Sequence, residues 1–335
     1  MSEGLRAMRT LGGISHFDDP IGLARRVWSN GGRHGRMSMV YAAISASATP
    51  LDIGLEPIER RLTIGASPSS SMVIVCGPPR SGTTIMSYLL TIASGSSYVT
   101  NLMDMFPRAP LAASKTFRCR PDTRRVPLTS FYGRTAGIAA PSDGLRLWDK
   151  WVGGDRSRPN PDVLLSNRDA VVGFFGGLEE WLQKPVVTKN NSVNSIASAV
   201  ASVLPTARFV CMERQPVPLA RSLLVARTRL HGNLDKPYGV SPLGPVLGDP
   251  ISDVARQVRF HQDLAMTAEA ALGSSRFRTV SYEELCSRPR AVVSELVESL
   301  LGVVPETSSM PEALELSQGP PLVTDQLNRL EAAFM

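Results

Sequence analysis

Cysteine, histidine and long apolar runs are all scarce in this chain of 335 residues, and each scarcity removes a class of protein. The four cysteines, Cys76, Cys119, Cys211 and Cys286, stand far apart with no CxxC pair, so neither a disulfide framework nor a cysteine metal site is indicated. Two of them fall in predicted buried strands and read as small apolar fillers, as expected in a reducing compartment. The four histidines, His16, His34, His231 and His261, show no ligand spacing such as HExxH, and no metal is expected. No segment has the length and purity of a membrane span, and the N-terminus lacks an apolar signal core; the expectation is a soluble, cytoplasmic protein. Blocks of like charge are missing too. The net charge of +6 is spread along the chain without the aromatic and basic interleaving that marks nucleic-acid binding.

What is present is a composition able to bury a sizeable core, with 43% hydrophobic and 20% charged residues. From Met72 onward, short apolar runs alternate with helical periodicity. Strands are predicted at 72–76, 97–100, 186–188, 207–213 and 276–280, and helices at 83–95, 192–203, 216–230, 252–272 and 290–301. Such alternation predicts an α/β fold, a doubly wound parallel sheet flanked by helices, like that of P-loop NTPases. Residues 1–69 read as an N-terminal helical and loop extension, 70–305 as the core and 306–335 as a C-terminal extension. Two irregular segments interrupt the core, near 104–165 and 231–250, the second containing Gly232, Pro237, Gly239, Pro242, Gly244, Pro245, Gly248 and Pro250. Loops of that length in a compact domain are usually functional or disordered; both are assigned to acceptor binding and closure over a donor, with a disordered surface loop as the alternative for the second.

The segment Val73-Ile-Val-Cys-Gly-Pro-Pro-Arg-Ser-Gly-Thr-Thr84 is a buried-strand run that breaks into a glycine turn at the start of a helix. Backbone amides at Ser81 to Thr84 and the positive end of the helix dipole make that turn an anion site. Gly77 and Gly82 keep the glycine spacing of a nucleoside-triphosphate loop. Thr83, however, stands where that loop has its lysine, and the cation has moved to Arg80. These donors suit a short anion without a γ-phosphate. A second strand, Ala207 to Glu213, leads to Arg214, a break at Gln215-Pro216 and a helix carrying Ser222. In a parallel sheet the two strand ends share one edge. An arginine fork and a hydroxyl there can clamp a second phosphate.

Gly77-Pro-Pro-Arg-Ser-Gly-Thr-Thr84 resembles the 5′-phosphosulfate loop of sulfotransferases that use 3′-phosphoadenosine 5′-phosphosulfate, and Arg214 with Ser222 resembles their 3′-phosphate site. The resemblance covers roughly Met72 to Val303. Phe277-Arg-Thr-Val-Ser-Tyr-Glu-Glu-Leu285 followed by Pro289 resembles the family's last core strand and a Tyr-Glu-x-Leu turn, taken as structural. It implies a metal-independent, in-line sulfuryl transfer to a hydroxyl of a glycan, lipid or small molecule, with 3′,5′-adenosine diphosphate as the product. Gly77, Pro79, Arg80, Ser81, Gly82, Thr83, Thr84, Arg214 and Ser222 would bind the donor. The lack of a membrane-span segment or apolar signal core is expected to exclude the membrane-anchored Golgi type, and a homodimer is left open.

Lys189 resembles the lysine that follows this strand in many family members, although Asn190-Asn191 replaces the familiar Thr-His. Tyr98-Val-Thr-Asn-Leu102, Phe106-Pro-Arg-Ala-Pro110 and Phe131-Tyr-Gly-Arg-Thr-Ala-Gly137 are similar to a bacterial subgroup associated with surface polysaccharide or glycolipid modification. Where that subgroup carries His-Glu after the following proline, this chain has Pro141-Ser142-Asp143. The candidate bases are therefore Asp143, Asp104 and His261, each with an ordinary structural alternative as a cap, loop or core residue. Arg134 and Arg146 are candidates for an anionic acceptor or the donor, or plain solvent-facing arginines. Two other functions compete: a P-loop kinase or NTPase with a substitute cation, and a nucleotide-binding protein without turnover.

Overall fold

The computed structural model describes residues 19–243, 248–317 and 324–335. The first 18 residues with His16, the loop positions Gly244 and Pro245, and residues 318–323 lie outside the described residues. Three helices open the described chain: α1 (Pro20–Asn30), α2 (Gly32–Ser47) and α3 (Thr49–Thr63). The core then begins with β1 (Met72–Cys76) and α4 (Thr83–Ser94), followed by short helices α5 (Asn101–Met105), α6 (Pro110–Thr116), α7 (Leu145–Val152) and α8 (Pro161–Ser166) and the longer α9 (Arg168–Leu182). Next come β2 (Val187–Lys189), α10 (Ala197–Val203), β3 (Ala207–Glu213), α11 (Pro216–Ala226), α12 (Pro250–Leu272), β4 (Phe277–Ser281), α13 (Tyr282–Ser287) and α14 (Pro289–Leu296), and α15 (Thr324–Ala332) closes the chain.

The four strands form one parallel sheet in the order β2-β1-β3-β4, with Val73 opposite Val187 and Cys76 opposite Cys211. Every residue of β1 is buried because both faces of the strand are covered. Met72, Ile74 and Cys76 pack with Phe174, Phe175 and Val200 on one side. Val73 and Val75 point the other way, against Leu89 of α4 and Val293 of α14. The chain runs from β1 to β2 on one side and later to β3 on the other, so the carboxyl ends of β1 and β3 flank the point where strand order reverses, the usual ligand crevice of such sheets. All four cysteines are buried free thiols.

The sequence expectations differ from the structure at element ends. The strand predicted at 97–100 is absent: Ser97 and Thr100 make only single bridges, to Val186 and Pro141, because Thr100 turns to cap α5, its Oγ1 accepting the Met103 amide at 3.2 Å. The helix predicted from 192 begins as a tight 3₁₀ turn, Asn191–Ile196, started by the Asn190 side chain accepting the Ser192 amide. The helices predicted to reach 230 and 301 end in wider π turns, Arg227–His231 and Val297–Leu301.

The N-terminal helices are tied to the core by two buried acids and a small apolar cluster. Asp52 accepts the amides of Arg108 and Ala109, and Glu59 accepts that of Ala112 at 2.7 Å, so α3 supplies the carboxylates that satisfy the start of α6. Tyr41 and Leu55 pack beside Leu102, Met105 and Phe106. The C-terminal extension also docks on the core, where Met310 is buried among the residues around α14 and the Glu306 amide donates to Ala93.

Burial raises the Glu59 carboxyl to about 7 from an ordinary value of 4.5, against the opposing pull of the Ala112 and Leu111 amides. Between those two values the folded protein holds more protons than the unfolded chain, so this group's contribution to stability falls as pH rises through the window. Glu59→Gln keeps an acceptor for the amide and removes the charge. It is expected to raise the melting temperature above pH 7, recovering on the order of 3 kcal/mol, and to change little near pH 4; calorimetry across that range reads the difference.

Candidate active site

β1 ends in Cys76, and the turn after it folds back over the end of β3. Gly77 has φ 121°, and a Cβ there would stand 2.5 Å from the carbonyl oxygen of Met212, so only glycine lets the two strand exits approach this closely. Arg80 adopts a left-handed backbone, φ 75°, which aims its side chain across the cleft. Its Nε donates to Ser222 Oγ at 3.0 Å, and its guanidinium lies 4.8 Å from the ring centre of Tyr132. The first helical amides of α4, at Thr83 and Thr84, precede any intrahelical acceptor and remain available to an anion. Ser81 behaves differently: its hydroxyl turns back to the Pro78 carbonyl at 2.7 Å and is fully buried, stiffening the turn.

Arg214 leaves the end of β3 and reaches the same turn. Its Nη1 donates to the Arg80 carbonyl at 2.8 Å, its Nη2 to the Ser317 carbonyl, and its guanidinium lies 4.8 Å over Tyr282. Arg80, Arg214 and Ser222 are therefore brought together by elements more than 100 residues apart in sequence. The buried Nε of Arg214 has no hydrogen-bond partner among the described residues. Thr83, Thr84, Arg80, Arg214 and Lys189 line a cavity of about 410 Å³ at this edge of the sheet.

Asp143 and Lys189 meet at the far end of this cavity, Nζ to Oδ2 2.5 Å. Lys189 comes from the last position of β2 and is 5% exposed. Asp143 comes from the first irregular segment, which Asn101 pins by donating to the Thr135 carbonyl, the Thr135 hydroxyl and the Gly137 carbonyl. From α2, Tyr41 accepts the Gly137 amide at 2.7 Å and His34 accepts that of Ala136 at 2.9 Å. Burial pushes the Asp143 carboxyl above its ordinary range, the Lys189 cation pulls it back, and the neighbouring charge of Asp104 pushes it up again. Two further cavities, of about 350 and 250 Å³, also reach Asp143.

The other candidates are placed differently. Asp104 accepts the Arg146 amide at 2.7 Å and pairs with that guanidinium at 3.4 Å, so it caps α7 while lining the 250 Å³ cavity. His261 is 2% exposed in α12, lines none of the three cavities, and is held largely neutral by burial, its pKa pushed down to about 4. Among the described residues, no group of three or more His, Cys, Asp or Glu side chains is arranged to hold a metal ion.

Three contributors escaped the sequence reading. Tyr282 belongs to the turn taken as structural, yet it lies beneath Arg214 and lines the 410 Å³ cavity. Tyr132 and Tyr238 come from the two irregular segments and meet edge to face, 6.0 Å between ring centres, over the cleft. Tyr238 is fixed from behind by a buried network: Arg227 pairs with Asp253 at 2.9 Å and bonds Gln257 at 2.8 Å, and Gln257 donates to the carbonyls of Tyr238 and Val240. Only an arginine in an otherwise apolar helical pattern could have signalled this network.

A profile described as the Sulfotransferase family matches residues 72–303. Among solved structures, the chain is similar to sulfotransferase STF9 from Mycobacterium avium, with TM-score 0.52 and 17% identity over 98% of this chain and 85% of that one. It is also similar to sulfotransferase STF1 from Mycobacterium tuberculosis H37Rv, with TM-score 0.50 and 15% identity over 99% and 98%. At these identities the likeness is one of fold. Among curated proteins, no sequence matches this chain.

Arg227→Met removes the fully buried partner of the Asp253 carboxylate and leaves it Arg256, which is 31% exposed. Such a change is expected to destabilise the fold by about 3 kcal/mol in urea titration, because the remaining, more exposed pair compensates the buried charge only in part. Arg227→Met combined with Asp253→Leu is expected to recover most of that loss.

Proposed function

This chain belongs to the sulfotransferase family, and from that premise we propose that its donor is 3′-phosphoadenosine 5′-phosphosulfate and that it transfers the sulfuryl group to an acceptor hydroxyl with Asp143 as base. The observation that carries the reading is the convergence of Arg80, Arg214 and Ser222 on one amide-lined turn that has Thr83 where an NTPase has lysine. The unpartnered buried Nε of Arg214 fits an anionic ligand group, and the helix start fits another. The donor brings a transferable SO₃ unit on a phosphate leaving group.

The chain's own residues then have distinct tasks. The amides of Thr83 and Thr84, with the Arg80 guanidinium, stabilise charge on the leaving phosphate oxygen. Arg214 and Ser222 hold the 3′-phosphate, which ATP lacks. Asp143 takes the proton from the acceptor hydroxyl. Its raised affinity for a proton suits that work, since a base is most effective when its pKa lies closer to the working pH. Lys189, 2.5 Å away, orients the carboxylate and contributes positive charge beside the transferring group. The ring pair Tyr132 and Tyr238 covers the cleft and keeps water from competing with the acceptor.

In calorimetric titration, 3′,5′-adenosine diphosphate is expected to bind more tightly than ATP, and Arg80→Ala and Arg214→Ala are each expected to weaken it by about 30-fold or more. Tighter binding of ATP would overturn the donor assignment. Asp143→Asn is expected to lower kcat at least about 100-fold while leaving nucleotide affinity nearly unchanged. In the wild-type enzyme the acid limb of the pH–rate profile is expected above the ordinary carboxylate range, with activity lost as pH falls through it and Asp143 gains its proton.

A further inference from the structure

The 250 Å³ cavity differs in kind from the phosphate cavity it adjoins. One wall is apolar, built by Leu23, Ala24 and Val27 of α1, Met39 and Ala42 of α2, and Met105 of α5. The opposite end is charged and reaches Asp143. Its charges largely cancel in pairs: Arg146 with Asp104, Arg156 with Asp149 through two bonds of 2.7 and 2.8 Å, and Asp143 with Lys189. Arg134 is the exception. It lines this cavity and the 350 Å³ one but not the phosphate cavity, and its guanidinium has no hydrogen bond or ion pair among the described residues. Asp155, Lys236 and His231 also line the 350 Å³ cavity. Gly133, next to Arg134, packs so closely on Asp143 that a Cβ there would stand 2.5 Å from its Oδ2. The unpaired cation and the base are therefore adjacent.

We propose that the acceptor is an anionic amphiphile, a molecule whose hydroxyl lies near a carboxylate or phosphate group and continues into an apolar chain. This rests on the reading of the cleft as a sulfuryl-transfer site and adds the class of acceptor. The anionic group pairs with Arg134, whose guanidinium stands at the junction of the two cavities with no hydrogen bond or ion pair among the described residues. The hydroxyl reaches Asp143, and the chain lies against the wall from α1 and α2. A neutral sugar would leave Arg134 without a counter-ion and the apolar wall without contact. A free nucleotide would compete poorly for that wall, since apolar lining favours a chain at about three- to fourfold in affinity per methylene buried.

The test uses binding in the full-length protein, separate from turnover. Decanoate, decyl phosphate and decanol, each below its micellar concentration, are titrated calorimetrically, with 3′,5′-adenosine diphosphate titrated in parallel. At least one anion is expected to bind about tenfold or more tighter than decanol, and the stronger of the two identifies the head group. Arg134→Gln is expected to bring the anion-to-alcohol ratio to within about threefold, Arg134→Lys to retain part of it, and Ala42→Phe to weaken all three ligands. Equal binding of anion and alcohol to the wild type overturns the proposal, as does a preference that survives Arg134→Gln or anion binding undiminished in Ala42→Phe. If the amphiphile results hold while 3′,5′-adenosine diphosphate fails to bind, the acceptor site stands and the donor assignment falls.

Discussion

The amides at the start of α4 have no acceptor within their own helix, and most of the architecture around the site follows from keeping them unsatisfied and accessible. They must stand at the carboxyl edge of the sheet, which places the turn at the exit of β1. The turn can close there only if the backbone passes within contact distance of Met212, which requires Gly77. Once β1 and β3 exit side by side, the residue after β3 falls on the turn. Arg214 therefore bonds the Arg80 backbone without any long connecting loop. A parallel sheet buried on both faces makes this rigid, because β1 cannot move without disturbing Leu89 on one side and Phe175 on the other.

The two irregular segments meet this rigid edge by unlike means. The first is held by neutral hydrogen bonds, from Asn101, Tyr41 and His34 to backbone groups at 135–137. The second is held by a buried charged network around Arg227. The neutral bonds to backbone bring no charge of their own to Asp143, whose proton affinity is raised first by burial, lowered by Lys189, and then adjusted by the charges of Asp104 and Arg134. The second segment needs only to hold a tyrosine in place, and a buried ion pair fixes position at the cost of desolvation while lying behind the cleft.

Much of the central fold was legible because it depends on local signals. Met72–Cys76 is a continuous apolar run and Ala207–Glu213 a mostly apolar one, and each is followed by a distinctive break: glycine with a cation, or arginine with proline. The residues proposed for the donor stood out for the same reason. Lys189, Asp143 and Arg134 were candidates too, but their juxtaposition with one another and with Tyr238 was not readable, because they are joined only by tertiary contacts and none sits at a diagnostic spacing. The false strand at 97–100 has the same origin. Its residues have β-forming character, but Thr100 gains a capping bond to Met103 and Ser142 donates to Val99, so local polar bonding displaces a ladder.

The region matched by the family profile begins at residue 72, yet the apolar wall beside Asp143 is built from residues 20–42. The division has a physical logic. The proposed donor chemistry needs amides and arginines held by the sheet. The wall needs only apolar side chains facing a cavity, which α1 and α2 can vary freely so long as α3 keeps its hold on α6 through Asp52 and Glu59. Because Tyr41 and His34 of α2 also fix the loop carrying Arg134 and Asp143, a change in the wall reaches that loop. On the proposed reading, selectivity for the acceptor and placement of the Asp143 carboxylate are thus coupled through α2.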